Sequence, residues 1–162
     1  MTSPVSSPAR PAHAGVHFPP PLIYAIAIVI GWLLDRWYPL PMVRGGSRVL
    51  EGGAIVCGLV YLAIFFAAAA TFRRARTTLI PNRPANALVT SGPYRFTRNP
   101  MYVSLVVLYL GVTLALNSWW PLVLLPVVIL VVTRAVIERE ERYLSAAFPE
   151  YATYRARVRR WL

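Results

Sequence analysis

The sequence predicts an all-α, polytopic membrane protein with about four transmembrane helices and a cytoplasmic helical cap at its C-terminal end. Three observations carry that expectation. Hydrophobic residues make up 57% of the 162 positions, above the roughly 45–50% of an ordinary soluble domain, and they gather into four apolar runs. All 17 basic residues are arginine, giving a net charge of +11, and they lie mostly in the gaps between those runs, as in membrane proteins. Beyond the fourth run the chain turns charged and amphipathic. The length allows one domain. The arginines form no basic–aromatic module of the kind that binds nucleic acid, so no nucleic-acid partner is expected.

Residues 1–19 are rich in Pro, Ser and Ala. They have little to bury and read as a disordered tail ahead of a membrane domain over 20–162. His13 and His17 stand four apart, but Pro11 and the prolines at 19–21 oppose the helix that would pair them on a metal. No metal site is expected. The first run, about 20–37, opens on prolines and closes on Trp37 and Tyr38 at headgroup level. No small-x-small cleavage site follows, so it reads as an uncleaved first membrane helix. The second run, about 52–72, carries Gly52, Gly53, Gly58 and the alanines at 67–70, a surface that lets another helix approach closely. Cys57, the single cysteine, reads as a small buried apolar side chain.

The third and fourth runs, about 100–117 and 119–137, are joined through Asn117 and Ser118 and predict a tight antiparallel hairpin, with Trp119 and Trp120 in the interface. A bilayer core of about 30 Å needs about 20 helical residues. Runs one and three are short by that measure, so they borrow flanking residues or thin the bilayer.

The arginines set the topology. Arg73, Arg74, Arg76, Arg83, Arg95 and Arg98 lie between runs two and three; Arg134, Arg139, Arg142, Arg155, Arg157, Arg159 and Arg160 lie at or beyond the end of run four. The loop between runs one and two has Arg36, Arg44 and Arg48, and the Asn117-Ser118 turn has none. Four spans place both rich segments and the N-terminus on one face, cytoplasmic by the positive-inside rule. The expected location is a bacterial inner (plasma) membrane.

Residues 91–102 organise the rest. They hold the turn signal Gly92-Pro93, then Arg98 and Asn99-Pro100, which reads as an N-cap with proline at the first helical position. Backbone N–H groups and arginines meet there at a membrane surface and suit a ligand carboxylate. The cap, 138–162, begins with Glu138, Glu140 and Glu141, three of the six acidic residues in the chain. Such a cluster repels itself unless cations are near, and Arg139, Arg142 and Arg98 can supply them. Pro149 should break the cap into two helices, and Tyr151, Tyr154 and Val158 fall on one stripe of the second. The tail is long enough to fold back over 91–102. Two surfaces then face each other, Tyr94, Arg95, Arg98, Asn99 and Tyr102 against Glu138, Glu140, Glu141, Tyr151, Tyr154 and Arg157. The plainer alternative is a solvated juxtamembrane charge cluster without a ligand.

The order of these pieces resembles the isoprenylcysteine carboxyl methyltransferase family, which in turn is similar to the phospholipid methyltransferases. The resemblance runs from about 77 to 162. It rests on Leu88 to Arg95, on Arg98-Asn99-Pro100-Met101-Tyr102, on the apolar hairpin, on Glu140-Glu141 with Leu144, and on Phe148, Tyr151 and Tyr154. It implies an integral-membrane enzyme that uses S-adenosylmethionine on a lipophilic acceptor. That acceptor is an isoprenylcysteine-like carboxylate or, alternatively, a phospholipid or other amine. By the same resemblance Tyr94, Arg98, Asn99, Pro100, Tyr102, Glu140, Glu141, Tyr154 and Arg157 surround the cofactor. Arg98 and Glu141 are the expected polar anchors rather than proton carriers. Asn99 stands where eukaryotic members usually have His, and an amide cannot titrate. The rival from another class is a non-enzymatic small membrane protein such as a transporter subunit. The near absence of ionisable groups inside the runs opposes a transporter.

Overall fold

The computed structural model describes residues 19–75 and 87–162. The tail with His13 and His17, and the segment with Arg76 and Arg83, lie outside the described residues. Helix α1 is Pro20–Trp37, α2 is Arg48–Arg74, α3 is Pro100–Ala115 and α4 is Trp119–Val132. A π-helical turn, Thr133–Ile137, joins α4 without a break to α5, Glu138–Ala147; α6 is Tyr151–Arg157. Among the described residues no strand forms, and the extended pairing is a lone bridge between Pro41 and Ser118.

Proline and glycine place the ends. Prolines occupy the first positions of α1 and α3, where the missing N–H has no helical partner to lose. The second helix begins four residues earlier than its apolar run, behind Gly45 and Gly46 at φ +81° and +79°. Phe148, forced extended by Pro149, has φ −131° and ψ 107° and separates α5 from α6.

Among the described residues three helices are long and apolar enough to cross a membrane: Pro20–Trp37, Arg48–Arg74 and the continuous Trp119–Ala147. The third run gives 16 helical residues, about 24 Å at 1.5 Å per residue. Among the 27 residues of α2 only Ala68 is buried. Val49, Ile55, Leu59 and Phe66 on α2, and Val123, Val127 and Leu130 on α4, are exposed, which suits hydrocarbon rather than water.

The helices alternate in direction. At one end the α1–α2 loop is stitched to the α3–α4 turn. Asn117 accepts from Val43 N at 2.9 Å and donates to Val43 O at 2.7 Å; Ser118 Oγ donates to Asp35 Oδ1 at 2.7 Å. Trp120 Nε1 donates to Tyr38 O at 2.7 Å. The other end is rich in arginine and gathers the end of α2, the start of α3, and α5 and α6.

Packing departs from the expected hairpin. The long partner of α3 is α2, that of α4 is α1, and α3 touches α4 only lightly. Close approach also uses a glycine other than those singled out on the second run. Gly52 and Gly58 face open space, whereas a Cβ on Gly111 of α3 would stand 2.9 Å from Cys57 Cβ and 3.2 Å from Ala54 O. On α2 close approach is made at Gly53, where a Cβ would stand 3.1 Å from Leu114 Cδ1, and by the small residues opposite Gly111. Cys57 is half-buried rather than buried.

Candidate functional site

The segment before α3 folds as a single 3-10 turn, Gly92–Arg95, held against the end of α2. Gly92 has φ +60°, and a Cβ there would meet Thr71 Oγ1 at 2.5 Å, so only glycine fits both backbone and space. Tyr94 is thereby driven into a small cluster with Ala68 and Val89, its ring edge-on to Phe72 at 5.3 Å. Pro100 is fully buried and fixes the start of α3.

The tail folds back over this segment. Arg98 N donates to Arg159 O at 2.9 Å, Thr97 Oγ1 donates to Arg160 O at 3.1 Å, and Asn99 Nδ2 donates to the same carbonyl at 2.9 Å. Tyr154 Oη donates to Tyr94 O at 2.7 Å. Tyr151 and Tyr154 are buried, and Val158 is half-buried just past the helix end. The expected side-chain N-cap is not made. Asn99 spends its amide on the tail, and no side chain caps α3.

At the centre stands a buried ionic cluster. Arg98 Nη1 lies 3.1 Å from Glu141 Oε1, and both side chains are nearly buried. Glu141 also receives Arg160 bidentately, from Nε at 3.1 Å and Nη2 at 2.7 Å. Arg98 Nη1 reaches Tyr151 Oη at 3.4 Å. The Nε of Arg98 is buried with no hydrogen-bond partner among the described residues. Such a group is uncommon in a settled structure. Glu140 points elsewhere and accepts from Tyr102 Oη at 2.9 Å. Burial pushes the hydroxyls of Tyr94, Tyr151 and Tyr154 above the ordinary tyrosine range. They stay protonated near neutrality and are not bases; Tyr154 donates its hydroxyl to Tyr94 O, whereas that of Tyr151 accepts from Arg98.

The structure therefore brings Arg98, Asn99, Pro100, Tyr102, Glu140, Glu141, Tyr94 and Tyr154 to one end of the bundle. It does not bring Arg157. That side chain is exposed, and its Nε reaches only Thr153 O of its own helix at 3.4 Å. Each three-residue step turns a helix face by about 60°, so the stripe set by Tyr151 and Tyr154 has rotated away by position 157. The arginine that does enter is Arg160, which sequence reasoning counted but did not place. Of the cations expected near the glutamates, Arg98 does pair with Glu141, whereas Arg142 meets a backbone carbonyl. Arg142 Nε donates to the Glu138 carbonyl at 3.2 Å, and the partners of the Glu138 side chain are Arg134 at 3.6 Å and Arg160 at 3.9 Å. Among the described residues no group of three His, Cys, Asp or Glu side chains could hold a metal ion.

Residues 50–151 match the phospholipid methyltransferase family, a span that takes in α2, the Arg98 segment, the hairpin and both glutamates. The chain belongs to that family. Its members are integral-membrane methyltransferases, which generally use S-adenosylmethionine; among its described residues this chain has three helices long and apolar enough to cross a bilayer, as a membrane protein does. The cobalt-zinc-cadmium resistance protein CzcN of Cupriavidus metallidurans is 39% identical over 79 residues, which is 49% of this chain and 37% of that protein. The nickel-cobalt-cadmium resistance protein NccN of Alcaligenes xylosoxydans is 34% identical over the same shares. The chain thus spans little more than a third of the length of these two relatives. An uncharacterized protein of Haemophilus influenzae is 41% identical over 63 residues, 38% of this chain and all of that protein. No solved structure matches.

Proposed function

We propose that the chain holds S-adenosylmethionine at its arginine-rich end and methylates a lipophilic acceptor that enters from the bilayer. The observation that carries this reading is buried Arg98, whose Nε–H is left without a partner beside Glu141. The donor set fits the cofactor. A guanidinium with a spare N–H suits its carboxylate, Glu140 and Glu141 suit its ammonium or ribose, and the rings of Tyr94, Tyr102 and Tyr154 suit its adenine and cationic sulfur. When bound, it supplies a methyl carbon that bonds to the acceptor's lone pair while the carbon–sulfur electrons pass to sulfur.

The protein's own part is alignment and exclusion of water. The tail over Arg98 and Asn99 supports that role. Two acceptor classes suit such a scaffold. An isoprenylcysteine-like carboxylate is already ionised, whereas a phospholipid or other amine must react unprotonated. The arginine distribution supports a cytoplasmic position for this end, in a bacterial inner membrane.

Calorimetric titration of the full chain in detergent with S-adenosylmethionine tests the reading. Arg98→Lys keeps the charge but loses the Nε donor. A charge-assisted bond contributes about 1.5–3 kcal/mol, so binding should weaken roughly 10- to 150-fold. A natural protein that does not bind the cofactor, or an Arg98→Lys protein that binds it equally well, overturns the proposal.

A further inference from the structure

Arg98 and Arg160 both hold Glu141, but they are not held alike themselves. The Arg98 side chain is 9% exposed, whereas that of Arg160 is 34% exposed and comes from the extended tail. The main chain around Arg160 is fixed independently of its head. Arg159 O accepts from Arg98 N, and Arg160 O accepts from Thr97 Oγ1 and Asn99 Nδ2. Trp161 packs against the apolar cluster. The guanidinium is thus free to turn about its own side-chain torsions while the strap stays in place.

A second seat lies within its reach. Glu138 stands three residues before Glu141 on α5 and so neighbours it on the helix surface. Its Oε1 lies 3.9 Å from Arg160 Nη1, and its side chain is 35% exposed. Arg160 therefore sits between a buried carboxylate and a solvent-facing one, and its closer grip is on the buried one.

That grip closes Glu141 to any other cation. Arg98 Nη1, Arg160 Nε and Arg160 Nη2 take three of its roughly four acceptor sites. Arg160 is the more exposed of the two partners, so it covers the side of Glu141 nearer solvent. A further positive group would also meet two guanidiniums around one carboxylate and be repelled. Exchange avoids both obstacles. If Arg160 shifts to Glu138 as an ammonium takes its place, the charge around Glu141 is unchanged, and no buried charge is left unpaired.

We propose that Arg160 is a gate on the cofactor site, which holds the cation subsite of Glu141 closed and shifts to Glu138 to admit the ammonium of S-adenosylmethionine. The assignment rests on the methyltransferase reading above and adds which residue must leave Glu141 for the cofactor to reach it.

The test is a double-mutant cycle read by calorimetric titration of the full chain in detergent with S-adenosylmethionine. Arg160→Gln should bind it at least about threefold more tightly than the natural protein, the scale of coupling between contacting residues. Glu138→Gln, which removes the second seat, should weaken binding by a similar factor. With Arg160→Gln already present, Glu138→Gln should change nothing. Arg160→Lys keeps a charge but cannot grip with two donors of a fork. It too should bind more tightly than the natural protein, and it carries the test if Arg160→Gln does not fold. An arginine that merely fastens the tail would give the opposite sign, since its loss loosens the site. Binding by the natural protein with no gain in either Arg160 variant, or an effect of Glu138→Gln that is the same in both backgrounds, overturns the gate alone. No binding by any of these proteins overturns the methyltransferase reading and the gate with it.

Discussion

Glu140 and Glu141 are neighbours in sequence, but adjacent helical residues point about 100° apart, and they have different partners. Glu141 is buried between Arg98 and Arg160. Glu140 meets the hydroxyl of Tyr102. Glu141→Gln leaves two guanidinium groups without their carboxylate, and breaking a buried pair costs about 3–5 kcal/mol. Arg160 is only partly buried, so the lower end of that range is expected. Glu140→Gln keeps an oxygen that can accept from Tyr102, and should change stability by less than about 1 kcal/mol. Chemical denaturation of both variants in the same detergent checks the contrast. Equal losses would mean that the ionic cluster does not hold α5 to the Arg98 segment. The sequence signalled that the glutamates differ, through their positions on the helix. It did not signal that Glu141 would meet two of the protein's own arginines, because one of them arrives from a chain segment that is not helical.

The tail, at the scale of elements, shows how far periodicity reaches. Pro149 marked the break between α5 and α6, and Tyr151 and Tyr154 marked the buried face, because both signals are local. Arg157, expected at the site from the family resemblance, lies within α6 but is turned off that face and exposed. α6 ends at Arg157, and Val158 is extended at φ −120° and ψ 130°. From there the backbone, not a helical stripe, delivers the carbonyls of Arg159 and Arg160 to Arg98, Thr97 and Asn99. No pattern of residue types encodes such a strap in advance, since its hydrogen bonds use main-chain oxygen. Its role is open to a direct measurement. Truncation after Pro149 removes Tyr151, Tyr154 and the strap while leaving the apolar helices intact. The shortened protein should still insert in membranes but bind S-adenosylmethionine at least about tenfold more weakly, a loss of about 1.4 kcal/mol. Unchanged affinity would show that the tail is an anchor and no part of the site.

For the molecule as a whole, the apolar runs were legible because burial in lipid demands long unbroken hydrophobicity. The choice of partners was not. A helix that is apolar all round carries no stripe to say which neighbour it meets, and the contact of Gly111 with Ala54 and Cys57 depends on where two backbones cross. Orientation rests on a different quantity, the imbalance of arginines between the two ends. The stitched end offers Arg36, Arg44 and Arg48, while the end with the ionic cluster offers Arg73, Arg74, Arg95, Arg98 and the arginines of the tail. Each charge moved through the bilayer centre costs about 2.5–3.5 kcal/mol on insertion scales, so the richer end should stay on the side of synthesis. The α1–α2 loop and the α3–α4 turn share the stitched end, hence one probe there reports on both. In a Cys57→Ala background, Arg44→Cys and Leu162→Cys place single thiols at exposed positions of opposite ends. A membrane-impermeant maleimide should label Arg44→Cys in intact cells, and Leu162→Cys only after the membrane is opened. Labelling of both thiols in intact cells, or of neither, would rule out the three crossings, α2, α3 and α4, between them.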